Sequence, residues 1–106
     1  LVINTDPFHI NFITDVSPAC DCYAANDAPI VKNIGGVAST DPIALDQACV
    51  DLVNAEPGLA NSQLKESIEP GGDKFKTLYP KVDWSIQLAY GEQLGLGSRE
   101  YELVRL

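Results

Sequence analysis

The tripeptide Thr40-Asp41-Pro42 constrains this chain more than any other feature, because it stands directly before a patterned run from Ile43 to Asn54. An aspartate just outside a helix accepts hydrogen bonds from the free amides of the first turn, and a proline fits the first helical position, where no amide is required. Leu45, Ala48, Cys49, Leu52 and Val53 then recur at helical spacing, with Asp46, Gln47, Asp51 and Asn54 covering much of the opposite side. The pattern predicts an amphipathic helix that must bury one face, and Pro57-Gly58 ends the element.

Upstream, Phe8, Ile10 and Phe12 alternate with His9 and Asn11. That period predicts a strand over residues 8–16 whose phenylalanine face is buried, ended by Ser17-Pro18. Residues 17–29 read as a polar loop punctuated by Pro18, Asn26-Asp27 and Pro29. Ile34 to Ser39 reads as a second, buried strand, its paired glycines marking a bulge or a close backbone approach. Residues 55–72 read as a surface loop with a short helical turn around Gln63–Ser67, and Lys74 to Tyr79 as one more turn of helix. A second main helix starts at Asp83 as N-cap. It buries Trp84, Leu88 and Ala89, carries Ile86 and Tyr90 on the flank, and ends at Gly95 in the left-handed conformation. Leu96 folds back toward Tyr90. Tyr101 to Leu106 reads as a final strand.

The order strand, loop, strand, helix, loop, helix, strand predicts an α/β or mixed α+β fold. It would be a small mixed sheet of about three strands with two main helices packed on it. A sheet that small, in a chain that begins at Leu1 and contains no Met, reads as one domain or part-domain over residues 1–106 of a longer protein. The N-terminus, Leu1 to Pro7, has no basic n-region and no long apolar run, so it is not an intact signal peptide. No stretch approaches the roughly 20 apolar residues that span a bilayer. A hydrophobic fraction of 45% supports a modest core. The net charge of −8 opposes nucleic acid and anionic membrane as partners.

Chemistry concentrates in Cys20-Asp21-Cys22. Three cysteines in all, two of them only two apart, fit a disulfide scaffold poorly and point to a reducing, cytoplasmic setting. Paired thiolates select soft cations such as zinc, copper(I) or iron. Asp21 places a negative charge beside both thiols, which is expected to raise their pKa values and to favour metal binding over nucleophilic catalysis. A tetrahedral ion needs about four ligands. His9, the sole histidine, and Asp27 complete a candidate set with Cys20 and Cys22, though in no standard zinc spacing. The plainer alternative is two small thiols in a tight structural loop. Cys49, on the apolar helix face, is expected to pack as a small hydrophobe. Asp41 is accounted for as a cap and Asp46 as surface. Trp84 and Tyr90 read as core rather than ligand platform. No dinucleotide fingerprint, phosphate-binding loop or nucleophile elbow is present.

The strings His9-Ile10-Asn11-Phe12, Asp15-Val16-Ser17-Pro18-Ala19-Cys20-Asp21-Cys22 and Asn26-Asp27-Ala28-Pro29-Ile30-Val31 resemble the iron–sulfur centre proteins that carry the domain of unknown function 362. So do Ile34-Gly35, Ala38 to Ala48, Asp73-Lys74-Phe75-Lys76, Val82-Asp83-Trp84 and Leu94 to Leu103. The resemblance implies a C-terminal segment of a longer chain. An upstream ferredoxin-like segment would hold four-iron four-sulfur clusters through CxxCxxC-type runs, which are absent here, so this piece does not hold such a cluster by that pattern. The implied partners are that upstream segment and a redox partner protein. The implied role is redox or metal-dependent, with the Cys-Asp-Cys loop bearing a metal ion or standing next to a cluster. The alternative is a non-catalytic module that completes the fold and docks the ferredoxin-like segment. The resemblance carries over no catalytic residue.

Overall fold

The computed structural model describes residues 7–106, and the reading of Leu1 to Asp6 lies outside them. Among the described residues there are two strands, β1 (His9–Ile13) and β2 (Gly35–Ser39), and three helices, α1 (Pro42–Ala55), α2 (Lys74–Leu78) and α3 (Ser85–Gln93). The strands pair antiparallel, with Asn11 opposite Val37 and Phe12 opposite Gly36. The architecture is α+β, and its sheet is a two-stranded ribbon with α1 packed on one face.

The helix that the sequence marks most strongly forms as expected. Asp41 Oδ1 accepts from the amides of Ile43 and Ala44, at 2.9 and 3.0 Å, and Pro42 takes the first turn. Oδ2 of the same carboxylate accepts from the Ser98 amide at 2.9 Å, fastening a segment 57 residues away in sequence. Gly97 makes this approach possible, since a Cβ there would overlap Asp41 Oδ1. The end of α3 also follows the sequence. Gly95 has φ +77°, its amide donates to the Glu92 carbonyl, and the Leu96 amide donates to the Gly91 carbonyl, the two bonds of a Schellman motif. At the other end of α3, Asp83 accepts from the Ser85 amide and hydroxyl, although the residue directly before the helix is Trp84.

Five expectations are corrected. The face of β1 is reversed: Phe8, Ile10 and Phe12 are 66%, 54% and 76% exposed, whereas His9 and Asn11 are half-buried and Ile13 is buried. The cause is α1, which lies against the Asn11 side. Asn11 Nδ2 donates to Asp46 Oδ1 at 3.2 Å and to Cys49 Sγ at 3.5 Å, and Ile13 enters the core on the same parity. Second, Tyr101 to Leu106 forms no ladder. It lies across from β2 and α1, leaving a groove of about 570 Å³ between the tail and β2, and it is held by the Tyr101 hydroxyl donating to Asp51 at 2.6 Å. Third, Gln63–Ser67 forms no helical turn. Its Leu64 is only 1% exposed, so that loop supplies core rather than surface. Fourth, Tyr90, read as core, is exposed, as is Ile86 beside it on the flank of α3. Nor do the paired glycines make a bulge: the register runs unbroken, and the Phe12 ring lies over Gly36.

The core is built as much from loops as from elements. Ile30 and Val31 are its most enclosed members together with Leu64, and they meet Ile13 and Val53. Backbone bonds hold this loop core in place: Ile30 N–H to Val16 O, Leu59 N–H to Ile30 O, and Ile34 N–H to Ile13 O. Lys74 is fully buried. Its ammonium donates to the carbonyls of Asn54 and Gly72, at 2.9 and 3.5 Å, and its amide to Asn54 Oδ1. Desolvation lowers its pKa.

Candidate functional site

The loop between β1 and β2 is fixed at its base and free at its tip. Asn26 carries most of the fixing. Its Oδ1 accepts from the amides of Ala19 and Asp27, at 3.2 and 3.0 Å. Its Nδ2 donates to Ser17 Oγ and to the Ala19 carbonyl, at 2.9 and 3.1 Å. A polar side chain that bonds nearby backbone on both sides replaces the ladder that this irregular segment lacks. From across the molecule the Tyr79 hydroxyl donates to the Pro18 carbonyl at 2.7 Å. Asp27 is a strut. It accepts from the Ala28 amide at 2.7 Å and from Gln63 Nε2 at 3.0 Å, and these bonds lower its pKa.

Beyond that base the chain turns tightly, with the Tyr23 amide donating to the Cys20 carbonyl at 2.9 Å. The turn brings Cys20 and Cys22 together with both side chains exposed. Their sulfurs are 3.1 Å apart, the Cys22 thiol donating to Cys20 Sγ. That bond, aided by the Cys22 amide, lowers the Cys20 pKa. It raises that of Cys22, whose proton is shared and whose ionisation would put a second charge beside Cys20. Asp21 pushes Cys20 upward, as expected from its charge, but the neighbouring thiol outweighs it. The expectation that Asp21 leaves both thiols passive is therefore corrected for Cys20. The shared hydrogen bond thus favours ionisation of Cys20 over that of Cys22.

The four candidate ligands are distributed rather than gathered. Cys20 and Cys22 meet at the tip. Asp27 is engaged with Gln63 at the base. His9 lies on the α1-facing side of β1, its Nε2 buried without a hydrogen-bond partner among the described residues. Among those residues no three of His, Cys, Asp and Glu come together as a metal-holding group. Cys49 packs against the core as expected, and burial raises its pKa. Asp46 is exposed at the edge of a hollow of about 280 Å³ that it shares with Cys49, Phe75 and Trp84. Trp84 is half-buried, tilted 56° to Phe75 with ring centroids 6.4 Å apart, and donates to Asp73 at 3.0 Å.

The anchoring roles of Asn26, Gln63 and Tyr79 are absent from the sequence reading. Asn26-Asp27 is visible there as turn punctuation. Nothing in the sequence couples either residue to Gln63 or Tyr79, which lie far along the chain.

No helix among the described residues is long and apolar enough to cross a membrane. Residues 2–51, just under half of the chain, match the model of the family described as domain of unknown function (DUF362). The matched stretch contains β1, the whole thiol loop, β2 and most of α1. It supports the family resemblance, and all four candidate ligands fall within it. No curated protein and no solved structure matches the chain.

Proposed function

We propose that Cys20-Asp21-Cys22 is the working part of this chain: a paired-thiol tip that lends two sulfurs to a soft metal ion, or stands beside an iron–sulfur cluster carried by a ferredoxin-like segment of a longer protein. The observation that carries this reading is the pair of exposed sulfurs 3.1 Å apart on a loop whose base is pinned and whose tip is free. Two thiolates fill half of a tetrahedral shell. With metal–sulfur bonds near 2.3 Å, two such ligands sit about 3.8 Å apart, so the pair would open slightly and lose its shared proton on binding. The free tip accommodates that movement. The remaining ligands would come from outside the pair, which suits a wall of a shared site. A bound metal would supply Lewis acidity or electron transfer; Cys20 and Cys22 would hold and orient it, and Asp21 would offset its positive charge.

A second reading is a non-catalytic module that packs against the ferredoxin-like segment. It is favoured by the apolar sheet face bearing Phe8, Ile10 and Phe12, which nothing among the described residues covers. Replacing Cys20 and Cys22 by Ala in the full-length protein, isolated without oxygen, separates the two. The first reading expects altered metal content or cluster absorbance, and an unchanged spectrum and metal content would refute it. The second expects a change in stability alone.

A further inference from the structure

We propose that Cys20 and Cys22 form a reversible dithiol–disulfide couple that exchanges with low-molecular-weight disulfides of the glutathione class. This rests on the reading that the paired thiols are the functional groups, and it adds a co-substrate class and a reaction to it. Three observations carry it. The two sulfurs already touch at 3.1 Å, so closing the bond needs only a small movement. Both are exposed, so a small disulfide reaches them without any part of the fold opening. And the tip that must move makes one backbone hydrogen bond of its own, Tyr23 to Cys20, while the anchors bind at or below Ala19 and beyond Asn26.

The hydrogen-bond direction assigns the steps. Cys20 Sγ accepts the hydrogen bond from Cys22, so Cys20, its own proton released to solvent, is the attacking sulfur. It displaces one thiolate from the small disulfide, forming a mixed disulfide on Cys20, and the departing thiolate takes up a proton. Cys22 Sγ then attacks Cys20 Sγ, its proton going to solvent, and the second small thiol leaves. The protein loses two protons and two electrons, and one small disulfide becomes two thiols. A disulfide closed across a single intervening residue departs from relaxed geometry, and strained, exposed disulfides are the readily reduced ones. The couple therefore sits on the oxidising side of ordinary structural disulfides and reverts with modest excess of thiol. Cys49 takes no part, being packed against the core with its sulfur turned to Asn11.

The test uses the 106-residue chain carrying Cys49→Ser, metal-free and anaerobic, mixed with oxidised glutathione and followed by intact mass and peptide mapping. The expected product is a chain lighter by two hydrogens, with a Cys20–Cys22 link, no retained glutathione, and full reversal by excess reduced glutathione. Cys22→Ser should trap one glutathione on Cys20, and Cys20→Ser should form its adduct at least several-fold more slowly. A parent chain that keeps glutathione, or that forms no internal link while its thiols react with a small alkylating reagent, overturns the proposal. Equal adduct rates in the two single variants overturn the assignment of Cys20 as attacker. Zinc titration of the same reduced chain, read by competition with a chromogenic chelator, reports separately on metal binding. Exchange can thus fail while the metal reading survives, and the reverse is equally visible.

Discussion

The two ends of the β1–β2 unit are held in opposite ways. At one end Asp41 fastens three amides, two from the first turn of α1 and one from the distant Ser98, α1 packs on the inner sheet face, and Gly97 leaves no room for anything larger. At the other, the thiol loop has no regular structure, and side chains reaching its base hold it. Elements that need uniform rigidity use the repeating bonds of helix and ladder. A tip that must change its sulfur–sulfur distance is better served by anchors that stop short of it. The difference is one of where order ends, and the cysteines sit just past that point.

The largest loss is expected in the core beneath the thiol loop. Leu64→Ala removes an enclosed core side chain beside Gln63, the residue that braces Asp27, and should cost about 2–5 kcal/mol. Denaturant unfolding measures this. Gly97→Ala tests the rigid end alone: its methyl drives Asp41 from its amides, with an expected loss of about 0.5–2 kcal/mol, the range for a lost cap. Asp41→Ala in the same background should add little further, since both changes remove one set of bonds.

The Tyr101 hydroxyl sharpens the comparison on the tail. Burial and the bond to Asp51 push its pKa up to about 12 from 10.0. A folded value above the unfolded one means the folded chain retains its proton longer. The associated stability is present below pH 10 and fades as pH rises toward 12. Lys74 acts oppositely. Its lowered pKa makes folding more favourable as pH climbs to the ordinary lysine value of 10.5. Stability measured against pH for the parent and for Tyr101→Phe isolates the tyrosine: the variant should lose the alkaline decline and keep the lysine rise. The smallest effect belongs to the tip. Cys20→Ser and Cys22→Ser should each shift stability by less than about 0.5 kcal/mol, because both side chains are exposed. A larger loss would mean that the thiols belong to the scaffold.

What the sequence discloses follows from how local each cause is. The cap at Asp41, the span of α1 and the left-handed stop at Gly95 depend on neighbours a few residues away, and all three are legible. The inward face of β1 is not, because Phe8, Ile10 and Phe12 satisfy the alternation rule on either side. Asn11, a polar residue bonded to Asp46 and Cys49, decides the matter from 35 and 38 positions away. Leu64 hides in an unpatterned loop, and the terminal segment has strand-like residues but no pairing partner. For the site, the paired cysteines are plain in the sequence. Their mutual hydrogen bond, which sets one thiol against the other, emerges only from the turn.

Lys74 gives this molecule a chemical clock. Every other lysine presents its amine to solvent, while this one is wholly enclosed among carbonyls. An acylating reagent should therefore label the rest at once and Lys74 only when the surrounding loops part. The lag between the two timescales counts openings of the native state directly, without denaturant and without adding a dye.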